Sequence, residues 1–450
     1  MKHDNLAVIV LAAGQGTRMK SALPKVLHGI AGRPMLAHVL QAAKALDPAR
    51  IVVVAAPGAE PVLRLSAECG AEAVIQQRQL GTGHAVLQGE APLAGFAGTL
   101  LVLFGDTPLL TPQTLLRLVD CAQTDAGIAA LGFRARDPKG YGRMITERGT
   151  LLRIVEDKDA GDAERKIDLC FAGMLAAPAP GIFSLLHKIG NQNVQGEFYL
   201  TDLIEIARRH DLLVGVVEGA EAEMLGVNSR AQLAQAEATF QARRRAELMD
   251  SGVAFTAPET VFISADTVIE PEASIGPYVV FGPGVTVKTG ATILPFCHIE
   301  GATIAQGCSV GPFARLRPGA ALDSNVHVGN FVEIKNARLE NGVKANHLTY
   351  IGDARVGEGS NIGAGTITCN YDGAGKYFTD IGARVFIGSD STLVAPVKIG
   401  DGAYVAAGST INGNVEPDAL ALGRARQVNK PGRATEIRAR NKARKEQRKS

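Results

Sequence analysis

Residues 263–299 read ISADTVIEPEASIGPYVVFGPGVTVKTGATILPFCHI, and an apolar residue returns at every sixth position: Ile263, Ile269, Ile275, Phe281, Val287, Ile293 and Ile299. After a slip of one residue the period runs on through Ile304, Val310, Leu316, Leu322, Val328 and Ile334. An irregular patch holding Val356 and Ile362 follows, and the period resumes at Ile381, Ile387, Leu393, Ile399, Val405 and Ile411. A helix repeats its apolar face about every 3.6 residues and a strand about every second residue, so neither generates a strict six. The hexapeptide repeat of a parallel β-helix does. Each hexad forms one short face of a triangular coil, with the aliphatic residue pointing inward and Gly, Pro, Asp or Asn turning the corner. Three hexads close a coil of about 18 residues, and coils stack at about 4.8 Å, so the segment from Ile263 to Asn414 encodes roughly eight coils. An interior that admits one aliphatic chain per side suits a protein with no Trp and 5% aromatic residues. The period leaves the hand of the solenoid open, and it leaves open whether the solenoid is catalytic or only serves assembly.

The chain of 450 residues is long enough for more than one core. A formal net charge of +2 argues against a dedicated nucleic-acid or membrane binder, and no apolar run is long enough for a signal sequence or a membrane span, so a cytoplasmic protein is expected. Cys69, Cys121, Cys170, Cys297, Cys308 and Cys369 form no C-x-x-C pair, which predicts reduced, buried thiols. From Leu6 to about Asn228, apolar strands alternate with helical stretches, which predicts an α/β fold with a mostly parallel sheet. Leu6 to Ala13, Ile51 to Ala55 and Leu100 to Phe104 read as buried strands, and Pro34 and Thr111-Pro112 mark helix starts. Ser229 to Asp250 reads as a solvated helix joining two domains, with Ser229 and Gln232 as a capping box and Leu233, Phe240 and Leu248 as a narrow stripe. The basic tail from Arg433 reads as a mobile, solvated end.

Ligands of an open α/β sheet sit beyond the carboxyl ends of its strands. Two such ends carry Gly14-Gln15-Gly16 and Gly105-Asp106. The first loop continues as Thr17-Arg18-Met19, with Pro24-Lys25 beyond. Met19 replaces the third glycine of a dinucleotide fingerprint, and the G-K-[ST] of a P-loop is missing. What remains is a loop of backbone N–H groups with two cations, Arg18 and Lys25, which suits a triphosphate.

This L-A-A-G-x-G-T-R-M…L-P-K-V-L pattern resembles the signature of sugar-1-phosphate nucleotidyltransferases. Joined to the hexads, which resemble the left-handed β-helix of hexapeptide-repeat acyltransferases, it resembles the family of bifunctional N-acetylglucosamine-1-phosphate uridyltransferases and glucosamine-1-phosphate acetyltransferases of bacterial cell-wall precursor synthesis. The resemblance implies a uridyltransferase domain at 1–228, a linker helix at 229–251, a left-handed β-helix acetyltransferase domain at 252–430 and a basic tail at 431–450. It implies nucleotide contacts from Leu11, Ala12, Ala13, Gly14, Gln76, Gly81, Thr82, Phe104 and Gly105, phosphate cations at Arg18 and Lys25, and Mg²⁺ ligands at Asp106 and Asn228. Gly142 and Glu156 would contact the sugar. Where the family has an Asn-Thr-Gly stretch whose Asn touches the sugar, this chain has Phe171-Ala172-Gly173, which puts acceptor selectivity in question.

The irregular middle of the solenoid carries Arg315-Leu316-Arg317, Asn330-Phe331-Val332-Glu333-Ile334-Lys335 and Asn346-His347-Leu348-Thr349-Tyr350. At about 18 residues per coil, Arg317, Lys335 and the region from His347 to Tyr350 are expected at nearly stacked positions. Two cations and a histidine on one edge suit an anionic substrate beside a base. From Asn370 to about Asp380 the period breaks, which predicts an expelled loop. In the family, His347 would be the base, Arg317 and Lys335 would bind the sugar phosphate, and Tyr350, Asn361 and Lys376 would hold the substrate. Ala364, Asn370, Tyr371, Ser389, Ala407 and Arg424 would contact acetyl-CoA, Glu333 would orient His347, and Asn370 or Ser389 would donate to the oxyanion. The implied substrates are UTP, N-acetylglucosamine-1-phosphate, glucosamine-1-phosphate and acetyl-CoA. The implied assembly is a homotrimer, with the loop and tail reaching a neighbouring copy. Two rivals are a monofunctional sugar-1-phosphate nucleotidyltransferase with a structural β-helix and a non-catalytic subunit keeping a degenerate nucleotidyl fold. Arg317, Lys335 and His347 speak against the first, and Lys25 and Asp106 against the second.

Overall fold

A computed structural model describes residues 3–123 and 127–448 and divides into two compact units. Residues 1–247 and 262–265 belong to the first unit, and 248–261 and 266–450 to the second. The described part of the first unit is built on a twisted sheet in the order Val214–Glu218, Ile128–Arg134, Leu169–Pro178, Thr99–Phe104, His3–Ala12, Pro48–Ala55, Glu72–Ile75. All neighbours on this path are parallel except Leu169–Pro178, which runs against both of its partners. A hairpin, Arg143–Glu147 with Thr150–Val155, joins it through Cys170. Strand His3–Ala12 lies between Pro48–Ala55 and Thr99–Phe104, and from Leu6 to Ala12 it is buried on both faces, so that part reads as a continuous apolar run rather than an alternating one. Its pairing with Thr99–Phe104 brings the two glycine-bearing strand ends side by side, and the Gly105 N–H donates to the Leu11 carbonyl at 2.9 Å.

Helices cover both faces of the sheet and start where expected. Pro34 precedes Met35–Lys44, and the Thr111 hydroxyl caps Pro112–Cys121 by accepting from the Thr114 N–H. The helix Arg230–Asp250 is present, but it is not solvated all round. Ala236 and Phe240 are buried with Ile30, Met35, Leu109 and Val227 in a small apolar cluster. Gln241 is only 2% exposed, and its amide exchanges two hydrogen bonds with the backbone of Ile263, at 2.8 and 2.9 Å. A buried amide is tolerated there because donor and acceptor are both used. Ile263 is accordingly grouped with the first unit.

In the second unit every hexad residue from Ile269 to Ile411 is buried, and strands of mostly two or three residues pair in parallel with the next coil. The faces stack in register as a parallel β-helix. Two of the three faces merge because the pairing of Glu333–Leu339 and Tyr350–Val356 runs on around a corner, which Asn336 and Asp353 turn with positive φ. The step between coils is 17 or 18 residues and becomes 25 where a loop is expelled. That loop ends about where expected, with strand Thr379–Ile381 back in register with Ala354–Val356. Tyr371 and Lys376 form an antiparallel bridge across it, and the Asp372 carboxylate accepts from the Ala374 and Gly375 N–H groups.

The tail forms an exposed helix, Arg433–Gln447, where no regular element was expected. Its Ala, Arg, Lys, Glu and Gln are strong helix formers, so propensity and the Arg433–Glu436 pair supply what packing does not. Cys170, Cys297 and Cys308 are buried without disulfides, but Cys69, Cys121 and Cys369 are only partly so. Burial pushes the Cys170 and Cys297 thiols up to about 11, away from reactivity. Among the described residues no helix is long and apolar enough to cross a membrane.

Candidate active sites

The carboxyl end of the first sheet opens into a cavity of about 670 Å³. Its floor is made by Leu11, Ala12, Ala13 and Gly14 from the first strand end and by Phe104 and Asp106 from the neighbouring one. Gly16 adopts φ +61°, and a Cβ there would lie 2.6 Å from the Lys25 Cβ, so only glycine lets Lys25 cross the loop into the cavity. The Lys25 ammonium donates to Asp106 Oδ2 and, at 2.8 Å, to Asn228 Oδ1. Asn228 is held in turn by the helix cap. Its N–H donates to Gln232 Oε1 at 2.9 Å, while the Gln232 N–H donates to the Ser229 hydroxyl, so the capping box closes one residue earlier than its sequence pattern suggests.

Gln76, 3% exposed, donates its amide N–H groups to the Gly81 carbonyl at 3.2 Å and to His84 Nδ1 at 3.0 Å. Burial lowers the His84 pKa and keeps that ring neutral, so it can accept. Thr82 accepts from the Leu200 N–H, and Gly81 has φ +116° with the Phe198 backbone where a side chain would be. On the opposite wall Glu156 accepts from the Thr201 hydroxyl at 3.1 Å. Burial raises the Glu156 pKa, partly opposed by that hydrogen bond. Gly142 reaches the wall through a loop pinned by buried Arg143, which donates to the Tyr141 carbonyl and to Asp157.

Two expected contacts fall elsewhere. Arg18 is exposed in the turn Thr17–Met19 and does not line the cavity, and the Gly105 N–H is already used on Leu11. Phe171 borders the cavity but is 7% exposed, with its ring in an apolar cluster that includes Met144, Ile154 and Leu169. The segment Glu197–Thr201 lines the cavity and closes over Gly81–Thr82, yet nothing in its spacing signalled this. The only hint was polar Glu197 and Thr201 flanking an apolar run before a helix.

On the β-helix the register assigns each polar residue to a column. Arg317 stacks on Lys335 and Lys335 on Gly352, while His347 stacks on Asn330 at the end of the preceding face. His347 therefore does not continue the Arg317–Lys335 column, because the next coil's partner of Lys335 is Gly352 and His347 falls on the face before it. Its Nδ1 lies 2.9 Å from Asn330 Oδ1. An amide oxygen only accepts, so Nδ1 carries the proton and Nε2 keeps its lone pair. Glu333, expected to orient His347, instead accepts from the Arg317 guanidinium at 2.8 Å. Tyr350 stacks on Glu333, and its ring lies over Gly352 where a Cβ would be 2.3 Å from the hydroxyl.

Beyond His347 the same corner continues through Ala364, Ser389 and Ala407 toward Arg424, which is exposed. Asn361 is apart from Lys335, on the preceding face between Lys344 and Phe386. Asn370, 7% exposed, donates its amide to Asp353, which also accepts from Asn336 at 2.6 Å. A hydrogen bond and charge repulsion from Lys376 lower the Lys335 pKa. Tyr371 is exposed on the loop and donates its hydroxyl to the Gly373 carbonyl.

Comparison with known proteins decides what these two sites belong to. Residues 8–168 match the MobA-like NTP transferase domain, and residues 378–413 match the bacterial transferase hexapeptide repeats. The bifunctional protein GlmU of Ruegeria sp. (strain TM1040) is 56% identical over 433 residues, 96% of each chain. The GlmU proteins of Paracoccus denitrificans (strain Pd 1222), 54% identical over 439 residues, and Paramagnetospirillum magneticum (strain ATCC 700264 / AMB-1), 51% identical over 447 residues, cover 97% and 99% of this chain. The chain belongs to the GlmU family of bifunctional uridyltransferase–acetyltransferases. The first unit is accordingly the nucleotidyltransferase, and the left-handed β-helix of hexapeptide repeats is the acetyltransferase.

Proposed function

We propose that the β-helix transfers acetyl from acetyl-CoA to the amine of glucosamine-1-phosphate, and that the first unit joins the resulting N-acetylglucosamine-1-phosphate to UTP with release of pyrophosphate. The reading rests on the convergence of Lys25, Asp106 and Asn228, three distant parts of the chain, on one point of the cavity. A phosphate oxygen of the sugar attacks the α-phosphorus of UTP as the bond to pyrophosphate breaks, and the nucleophile is already ionised, so no general base is needed. The residues fit a magnesium ion: Asp106 and Asn228 offer two hard oxygens aimed at one cation, and Mg²⁺ commonly takes one or two protein oxygens plus phosphates and water. Held by Asp106 and Asn228, it would supply charge neutralisation at the phosphates. Lys25 sits where it can pass from these oxygens to a phosphate. Gln76 spends its N–H groups on Gly81 and His84, which leaves Oε1 to accept the imide N–H that uracil has and cytosine lacks.

For acetyl transfer, His347 Nε2 takes a proton from the amine as its lone pair attacks the thioester carbonyl. The tetrahedral oxyanion then collapses, the C–S bond breaks and the thiolate leaves with that proton. Arg317, Lys335 and Lys376 neutralise the sugar phosphate. The column Ala364, Ser389, Ala407 and Arg424 offers an extended track for the acyl carrier. Asn370 has one amide N–H on Asp353, so its carbonyl oxygen and other N–H remain for the reacting groups.

A cytoplasmic homotrimer completes the reading. Tyr278, Phe296, Phe313 and Phe331 are exposed yet stacked along one edge at 4.8 to 5.2 Å, an apolar strip that neighbouring copies would cover. Exposed Tyr371 and Arg424 would then reach a second copy. The test mixes protein with glucosamine-1-phosphate, acetyl-CoA, UTP and Mg²⁺ and follows free thiol and pyrophosphate separately. Because UTP transfer waits on the acetylated sugar, pyrophosphate is also measured with N-acetylglucosamine-1-phosphate supplied. His347→Ala is expected to abolish thiol release alone, and Lys25→Ala to cut pyrophosphate release alone. Loss of both partial activities in either variant would refute two independent sites, and a fully active monomer by light scattering would refute the shared acetyl site.

A further inference from the structure

One corner of the β-helix places residues in the left-handed conformation, with Gly301 at φ +54° and Gly319 at +84° on successive coils. On the next two coils the same corner holds Asn336 at +44° and Asp353 at +46°. Glycine meets the backbone requirement at least cost, and Asn and Asp are the side chains that best tolerate it. Asp353 is 8% exposed, and its two carboxylate oxygens accept from two side-chain amides, Asn336 Nδ2 on one and Asn370 Nδ2 on the other. Lys335, one residue before Asn336, and Lys376, across the loop that Asn370 opens, both lower its pKa through their charge. A carboxylate thus sits behind the amide assigned to the reacting carbonyl and within the field of the two ammonium groups assigned to the sugar phosphate.

We propose that Asp353 is a positioning residue of the acetyl site: it locks the Asn370 amide so that one edge faces the substrate, and it holds Lys335 and Lys376 together until a phosphate replaces it as their counter-ion. The proposal rests on the acetyltransferase reading above. Burial raises the Asp353 pKa, but the bonds from Asn336 and Asn370 and the charges of Lys376 and Lys335 outweigh it and hold the carboxyl below the usual range. It therefore stays ionised wherever the enzyme works.

The two duties separate kinetically. Asp353→Asn removes a negative charge from the phosphate pocket, so the KM for glucosamine-1-phosphate should stay the same or fall. Loss of the charge-assisted bond that orients Asn370 should lower kcat of acetyl transfer by about tenfold or more. If Asp353 acts through Asn370, then Asn370→Ala and the double variant with Asp353→Asn should show nearly the same kcat, far from the product of the single effects. The uridylyl rate of the same preparations, measured with N-acetylglucosamine-1-phosphate supplied, should not change. A second variant guards against misfolding. Asn336→Gly suits the positive φ, removes one of the two amides on Asp353 and should lower kcat by a smaller factor at unchanged KM. Wild-type kcat in both Asp353→Asn and Asn336→Gly, multiplicative effects of Asp353 and Asn370, or a rise in KM at constant kcat would each overturn the proposal. Failure of the wild-type protein to release thiol in response to glucosamine-1-phosphate would instead overturn the acetyltransferase reading beneath it.

Discussion

The hydrogen bond between His347 and Asn330 makes the orienting group of the acetyl site an amide, and Asn330→Ala tests it. The bond spans 2.9 Å from Nδ1 to Oδ1 and joins side chains one coil apart. A neutral hydrogen bond of this kind is worth about 1 kcal/mol net, and one to a charged partner about 2. As Nε2 takes the amine proton the ring becomes an imidazolium, so the bond strengthens along the reaction by about 1 kcal/mol, which is roughly fivefold in rate. Without Asn330 the exposed ring also loses its tautomer preference, and every molecule with the proton on Nε2 is idle. Together these give an expected fall in kcat of about tenfold, far milder than His347→Ala. Steady-state thiol release under saturating substrates reads it directly. Glu333→Gln is the matched control: it loosens Arg317, should alter the KM for glucosamine-1-phosphate and should leave kcat near the wild-type value. If Glu333→Gln lowers kcat more than Asn330→Ala does, the carboxylate orients the base and the argument from Asn330 fails.

Phe171→Asn offers the sugar an amide in place of a ring and should lower the KM for N-acetylglucosamine-1-phosphate, while emptying a buried site costs about 3 kcal/mol of stability; unchanged steady-state constants would remove Phe171 from the acceptor pocket. Asp202, at the start of Asp202–Arg209, has its pKa raised from 3.8 to about 6, chiefly by burial. The folded state then binds the proton more tightly than the unfolded chain, so the penalty is absent below pH 3.8, grows as pH rises through this window and is fully present above 6. Asp202→Asn should accordingly raise the thermal midpoint at pH 7.5, with the gain shrinking toward pH 4. A gain independent of pH would show that the carboxylate is not the source.

Burial of the hexad residues was legible because each hexad is a local statement: whether Ile293 or Leu393 points inward depends on its own few neighbours. The strand-end loops with Lys25 and Asp106 were legible for a similar reason, since loops at the carboxyl ends of adjacent strands must meet. Chemistry inferred from fixed spacing fared worse. His347 and Lys335 lie on different faces, because one coil on from Lys335 is Gly352, and the stretch from His347 to Gly352 spans a corner of the coil. Asn330 rather than Glu333 therefore meets the imidazole. Gln241 inside an apparently polar helix, and buried Thr201 on half-buried Glu156, were likewise invisible, because their partners lie 22 and 45 residues away with no periodic link. The one-dimensional pattern thus determined which residues face inward and which loops bear the reacting groups. Only the folded chain decided which polar side chains touch, because hydrogen-bond pairing across coils depends on the integer count of residues at every corner between them.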